Sequence, residues 1–299
     1  MSRFYLGTTI AAALWAVAVP ATAVAAEPLQ SITASPTNQR LTVAAGSVTR
    51  GTFSVYNSGT TDYTFNVSAE PFGVKGEDYE QSFQLQPGAS DVSKWFKFDA
   101  TSYRAKAGQT IAVPYRLNVP GGVGPGGYYA VLFAQTQIPP KDGSGVTARK
   151  RVGVTYYLTV SGEAKQAGSV SSFTTNWFQA NAPLEANLRL ANTGNVHYDS
   201  SVLMRISDVF GNTKAEITDT KTVLPQTVRH IPLNWAQAPG FGVFKVAGSV
   251  TFLGRTEQLP AHYVLMLSPT AFVVIALIVV ALGSYGYATR RRWGNVKRG

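Results

Sequence analysis

Between Tyr263 and Thr289 the chain runs 27 residues without a charged side chain, and Arg290, Arg291 and Arg292 follow at once. At about 1.5 Å of rise per residue, some 20 apolar residues cross a hydrocarbon core of about 30 Å. The run therefore predicts one transmembrane α-helix over residues 263–289. Its densest part, Ala271 to Leu282, has no polar side chain, and Pro269 suits a first turn. Tyr285, Tyr287 and Trp293 fall where aromatic rings settle at a membrane interface. The cationic cluster of Arg290, Arg291, Arg292, Lys297 and Arg298 makes residues 290–299 a cytoplasmic tail by the positive-inside rule. A core helix of a soluble protein would not end in so dense a basic block.

The other end predicts the side on which the rest lies. Residues 1–26 combine Arg3, an apolar run from Ile10 to Val19, and small residues at Ala23, Ala25 and Ala26, the pattern of a cleaved secretory signal peptide. A signal in front and a stop-transfer helix behind place residues 27–262 outside the cell membrane as a single-pass ectodomain with its N-terminus outside. Leu259-Pro260-Ala261-His262-Tyr263 lacks the Thr-Gly of a sortase signal, so the chain is expected to stay in the membrane.

The net charge of +10 reflects this topology. Arg3 and the five tail cations set aside, 20 Lys and Arg face 16 Asp and Glu, and the basic residues are scattered, which argues against a nucleic-acid surface. The chain has no cysteine, excluding disulfides and thiolate metal sites, so an apolar core must supply the stability.

Outside the two apolar segments the hydrophobic period is two. Thr52 to Tyr56 and Tyr63 to Glu70 alternate across an Asn57-Ser58-Gly59 turn and read as a hairpin. Ile111 to Val119, Tyr128 to Phe133 and Val152 to Val160 continue the series, with Pro114 marking an edge or a bulge. After a polar joint at Gly162 to Gly168, Leu184 to Leu190, Val202 to Ile206, Ile231 to Trp235 and Phe244 to Phe252 repeat it, with turns at Asn192 to Asn195 and Gly211-Asn212. The expected fold is all-β: two tandem immunoglobulin-like β-sandwich domains, residues 27–162 and 163–262, followed by the helix. The two domains read as diverged relatives.

Within the first domain stand, in order, Ser35-Pro36, Gln39-Arg40-Leu41-Thr42-Val43, Gly46, Tyr56-Asn57, Glu70-Pro71-Phe72, Trp95-Phe96, Phe98, Gly108 with Val113, Val119-Pro120, and Gly126-Gly127-Tyr128-Tyr129-Ala130-Val131. This series resembles the peptidoglycan-binding domain of the WxL-interacting surface proteins over most of residues 30–160. The resemblance implies an exported, non-catalytic, membrane-anchored bacterial protein whose first domain contacts the wall and whose second binds a WxL-type protein or host matrix. The second domain, with Asn192-Thr193-Gly194-Asn195, Phe210-Gly211, Leu224-Pro225 and Trp235, departs from that family's usual pattern. The sandwich is also distantly similar to periplasmic pilus chaperones, which are soluble where this chain is tethered.

Catalytic readings find little to stand on. Gly122-Val123-Gly124-Pro125-Gly126-Gly127 has the spacing of a dinucleotide loop, but Pro120 and Pro125 flank it and strand follows where a helix is needed, so it reads as a turn. His197, His230 and His262 have no ligand-spaced neighbours, and neither a G-x-S-x-G elbow nor a cysteine nucleophile occurs. Neither metal nor cofactor is expected, and the protein reads as no enzyme.

Candidate contacts sit instead in the long segment Pro71 to Ser93. A connection above about 12–15 residues is usually functional or disordered, and this one carries Phe72, Tyr79 and Phe83 beside Glu77, Asp78 and Glu80. The acids read as a solvated tip rather than a calcium loop, and the aromatics either meet a ligand or pin the loop down. Trp95 is a platform for a sugar ring or a core residue of a strand Lys94–Phe98. Lys141, Arg149 and Lys150 mark a hairpin tip that meets anionic polymer or is plainly solvated. These features predict a surface protein that binds envelope glycan (peptidoglycan) or another surface protein. The alternative is an assembly module that accepts a partner strand at a sandwich edge, as chaperones do. Oligomeric state leaves no mark in the sequence.

Overall fold

The structure, a computed structural model, describes residues 30–86, 88–137 and 149–296, with side chains to Arg290. The expected signal peptide and Lys141 lie outside the described residues. The fold is all-β with one C-terminal helix.

The first sandwich comprises β1 (Ile32–Ser35), β2 (Asn38–Val43), β3 (Val48–Asn57), β4 (Tyr63–Pro71), β5 (Gly73–Lys75), β6 (Glu80–Ser82), β7 (Phe96–Phe98), β8 (Ser102–Ala105), β9 (Thr110–Asn118), β10 (Gly126–Gln137) and β11 (Arg151–Val160). One sheet has the order β1-β3-β9-β7 and the facing one β2-β11-β10-β4-β8. Alternation chose the inner faces: Phe53 and Val55 from β3, Phe65 from β4, Val113 and Leu117 from β9, Leu132 from β10 and Tyr156 and Leu158 from β11 are almost wholly buried. At Ser35-Pro36, a cis peptide, the first edge strand leaves one sheet and continues as β2 in the other, parallel to β11.

The second sandwich comprises β12 (Gly168–Thr174), β13 (Phe178–Gln179), β14 (Leu184–Asn192), β15 (Tyr198–Asp208), β16 (Thr213–Val223), β17 (Thr227–Trp235), β18 (Phe241–Phe252) and β19 (Arg255–Leu267). Its sheets are ordered β12-β14-β17 and β13-β19-β18-β15-β16. The larger sheet repeats the first domain strand for strand, down to β13 lying parallel to β19. The first domain differs by an insertion between β4 and β8 that contains β5, β6, a 3₁₀ turn at Val92–Trp95 and β7.

The expected hairpin at Asn57 is not one. β3 pairs with β1 and β9, whereas β4 pairs with β10 and β8, so the turn crosses from one sheet to the other. Asn57 explains the crossing. Wholly buried, it donates through Nδ2 to the carbonyls of Thr61 (2.8 Å) and Ala105 (3.2 Å) and accepts the Gly59 N–H at Oδ1 (3.0 Å). The second domain builds the same corner with Asn192, which donates to Val196 and Val223 (2.9 Å each) and accepts from Gly194 (2.9 Å). In both, an Asn-hydroxyl-Gly corner ties the crossing to the end of the edge strand, β8 or β16.

The helix also starts later than the apolar run. Residues 263–267 belong to β19, where Val264 and Met266 point into the core, and α1 spans Pro269–Val296. Charge-free sequence is shared by a buried strand and a membrane helix, so charge alone merges them. Ser268 is the one residue between, and its Oγ accepts the Ala271 N–H (3.2 Å) as an N-cap. Pro269–Arg290 has a mean hydropathy of 2.2 and is long and apolar enough to cross a membrane, and it is not packed into either core.

Candidate interaction surfaces

The insertion is where the two sandwiches meet. β5 and β6 form a short hairpin whose tip turns through Gly76 (φ 63°) and Tyr79 (φ 60°), a left-handed conformation that glycine tolerates and tyrosine seldom adopts. The tip lies across β14 and β17. The Glu77 carbonyl accepts the His230 N–H (2.8 Å), and its carboxylate takes a two-point contact from Arg189, with Nε at 2.6 Å. That hydrogen bond holds the Glu77 carboxyl below the usual range. His230 bridges Asp78 (2.6 Å) and Asn187 (2.8 Å) with its two ring nitrogens. The Tyr79 hydroxyl meets Thr227 Oγ1 (2.5 Å) and accepts the Leu224 N–H (3.0 Å), and the Arg229 guanidinium sits 4.2 Å over its ring. Burial raises the Tyr79 pKa.

Beside this clasp runs a second line of contacts. Gly127 donates to the Asn195 carbonyl (2.8 Å), and Asn195 Nδ2 returns a bond to the Pro125 carbonyl (3.0 Å). A Cβ on Gly126 would stand 3.0 Å from the Asn195 carbonyl oxygen, so the last two glycines of the run that imitates a dinucleotide loop serve close backbone approach between sandwiches. Tyr129 and His197 share a hydrogen bond (3.2 Å), and Arg40 bonds Asp199 (2.9 Å) and Thr222 (2.8 Å) while covering the Tyr157 ring. Burial, reinforced by the Arg40 charge, lowers the His197 pKa to about 4, so its ring is neutral at pH 7.

The expected contact residues divide among these features. Phe72 and Phe83 pack on each other (6.5 Å) and on Tyr157 and Phe133, under the guanidinium of Arg151. Phe72 also lines an open cleft of about 360 Å³ with Leu85, Tyr128 and Asn195. Tyr79 is spent between the domains, where the Pro71–Ser93 segment, expected to lack structure, has become a hairpin. Trp95 is in the core, 5.0 Å from Tyr128, ending the 3₁₀ turn just before the strand rather than within it. Arg149 is exposed, and Lys150 donates through Nζ to the Gln30 carbonyl at the far end of the first domain. The sequence placed Phe72, Tyr79 and Phe83 in one segment; the structure sends them in two directions.

Two surfaces went unseen. On the outer face of the first sandwich, Lys97, Arg116 and Arg50 lie side by side across β7, β9 and β3, with Asp99 bonding Arg116 (2.8 Å). Arg50, Thr52, Pro114 and Arg116 line an open cleft of about 450 Å³ there. Like charges opposite each other cost stability unless an anion relieves them. The three residues are far apart in sequence, and only strand pairing assembles them. The other surface is β16, eleven residues paired on one side by β15 alone. Ala215 and Ile217 face the core, with Asp219 and Lys221 following on the same side and paired at 3.1 Å.

Among the described residues, no group of three or more His, Cys, Asp or Glu is placed to hold a metal ion. No family model matches the chain, and no curated protein matches it. Solved structures similar to it include the class 5 fimbriae chaperone CfaA, at 10% identity over 79% of this chain and 100% of that one, with a TM-score of 0.41. The YadV chaperone is 11% identical over 76% and 99%, with a TM-score of 0.44. The CsuC–CsuE chaperone–tip adhesion subunit pre-assembly complex of Acinetobacter baumannii is 14% identical over 78% and 98%, with a TM-score of 0.40.

Proposed function

We propose that this chain is a membrane-tethered, non-catalytic module of the cell envelope that receives an extended segment of a partner protein on the free edge of β16. The length of that edge carries the reading. A strand with an unpaired backbone row is a template for another strand. Among the described residues β16 is the longest edge strand. β17, the next at nine residues, contains Pro232 and is capped in mid-strand at His230 by the Glu77 carbonyl, whereas the β16 carbonyls taken by Arg229 and Asn192, those of Thr222 and Val223, lie at its very end. Inward-facing Asp219 and Lys221 discourage indiscriminate pairing, so the incoming segment carries a cation opposite Asp219 and an acid opposite Lys221. Photocrosslinkers at Glu216, Thr218 and Thr220 of the full chain in its membrane test this. The expected result is one discrete protein adduct, with β16 amides newly protected from hydrogen exchange. Absence of an adduct, or an adduct that leaves β16 exchange unchanged, removes the reading.

A second reading rests on the Lys97, Arg116 and Arg50 row: the outer face of the first sandwich binds an anionic wall polymer, the wall contact that the WxL-family resemblance implies. Binding of this kind weakens steeply with salt. The full chain in nanodiscs, sedimented with purified cell wall, loses its association when Arg50 and Arg116 are both changed to Ala; equal sedimentation by the variant excludes this face.

A further inference from the structure

We infer that the end of the second sandwich nearest α1 is itself a membrane-docking surface, which dips an aromatic rim into the headgroup layer of the leaflet where the helix begins. The inference rests on the reading of α1 as a membrane anchor. Strand pairing shows that the rim is one surface. Leu267, the last residue of β19, pairs with Phe241, and Leu265 pairs with both Val243 and Phe178. The Leu265 N–H donates to the Trp177 carbonyl (2.7 Å), and the Trp177 and Phe178 rings lie 5.7 Å apart. Asp208, where β15 ends, pairs with Phe244, so the Val209-Phe210 turn reaches the same level. With a rise of about 3.4 Å per residue, everything from Leu267 to Tyr263 falls within about 14 Å along the strand direction.

These positions contain every large apolar side chain that is exposed on the second sandwich among the described residues: Trp177, Phe178, Val209, Phe210, Phe241, Val243 and Tyr263. Phe210 is 86% exposed and Trp177 74%. Scattered exposed apolar residues need no explanation, but a set confined to one end of one domain does. The turn that carries Phe210 is held: Asp208 accepts the Phe210 and Asn212 N–H groups (2.9 Å each) and takes Lys214 at 3.0 Å. Exposed Lys245 stands beside this surface, opposite Tyr263.

What covers the rim follows from the tether. A single residue, Ser268, joins β19 to α1, and two residue steps of extended chain span about 7 Å. The Ser268 N–H also donates to the Gly240 carbonyl (2.6 Å), tying the helix start to the β17–β18 loop. A sandwich so attached has no room to stand away from a bilayer that holds Phe272 and the residues after it. Aromatic rings with a lysine behind them are the composition that a membrane interface retains.

The absence of native cysteine makes the test direct. Nitroxide labels are placed singly at Phe178→Cys, Phe210→Cys, Phe241→Cys, Tyr56→Cys and Ile278→Cys in the full chain, reconstituted in phosphatidylethanolamine–phosphatidylglycerol vesicles. Collision rates with oxygen and with an aqueous nickel chelate are then compared. At least two of the three rim labels are expected to show nickel collisions reduced five-fold or more relative to Tyr56→Cys. Fewer than two overturn the inference. The Ile278→Cys label separates the premises: if it too collides freely with nickel, the anchor reading fails, whereas a lipid-embedded Ile278 label beside a water-exposed rim refutes the docking surface alone.

Discussion

Asn57 and Asn192 show how one side chain can decide where a strand goes. Each donates two N–H groups to backbone carbonyls, one of them at the end of an edge strand. Stranding a buried polar group costs about 1–3 kcal/mol, so Asn57→Ala or Asn192→Ala is expected to cost about 2–4 kcal/mol. Urea unfolding of the full chain in micelles measures it, and a loss under about 0.5 kcal/mol would show that the corner forms without its amide. His197 acts through charge. Its ordinary pKa of 6.5 falls to about 4 on burial, so between those values the unfolded chain binds a proton that the folded chain excludes. Stability is complete above about pH 6.5 and declines as pH falls toward 4, by up to about 3 kcal/mol at about 1.4 kcal/mol per pH unit. His197→Gln flattens that slope. Asp208 and Glu77, whose pKa values are lowered, contribute above their ordinary carboxylate range and lose that contribution only as pH falls through their folded values. The two windows are therefore separable in a pH series of unfolding midpoints.

The insertion between β4 and β8 behaves as a clasp, and its removal should be felt locally. Tyr79→Ala withdraws the acceptor from the Leu224 N–H, the partner from Thr227 and the ring from beneath Arg229, leaving both sandwich cores intact. Hydrogen exchange at Leu224 and Thr227 is expected to accelerate about 10- to 100-fold, the equivalent of about 1.4–2.7 kcal/mol, while exchange in β10 stays unchanged. Equal acceleration in β10 would make the insertion part of the core. This element also marks where sequence reading stops. Strands such as β4, β9 and β11 were legible because a period of two survives wherever one face is buried. Their partners were not, because β3 and β4 are neighbours in sequence yet lie in different sheets, and only the buried Asn57 says so. Phe72, Tyr79 and Phe83 were legible as residues with work to do, but an aromatic side chain looks the same in sequence whether it meets a ligand or a second domain. The β16 edge and the Lys97, Arg116 and Arg50 row depend wholly on pairing, which period-two alternation does not encode.

At the scale of the molecule the question is whether two sandwiches on one C-terminal helix move as one body. Contacts between domains of one chain are commonly polar and permit motion. Here they are numerous but individually modest: exposed pairs such as Arg40 with Asp199 and Glu77 with Arg189 are screened by solvent, and each adds little. The seam's rigidity must then come from number and from burial of Tyr79, Tyr129 and His197 among them, so removing one contact should matter little and removing several together should matter much. Spin labels at Tyr56→Cys in the first sandwich and Thr218→Cys in the second read this as a distance distribution in reconstituted full chain. A single narrow peak is expected, little changed by Arg40→Ala alone and broadened at least two-fold when Arg40→Ala, Glu77→Ala and Tyr79→Ala are combined. A distribution that is broad from the outset, or one that stays narrow in the triple variant, would contradict a clasped arm. A rigid arm has a consequence for both proposed surfaces: on the proposed reading of α1 as a membrane anchor, with β19 joined to α1 through Ser268 alone, the β16 edge and the basic face of the first sandwich would stand at fixed heights above the bilayer, so that a partner would be met at a set distance.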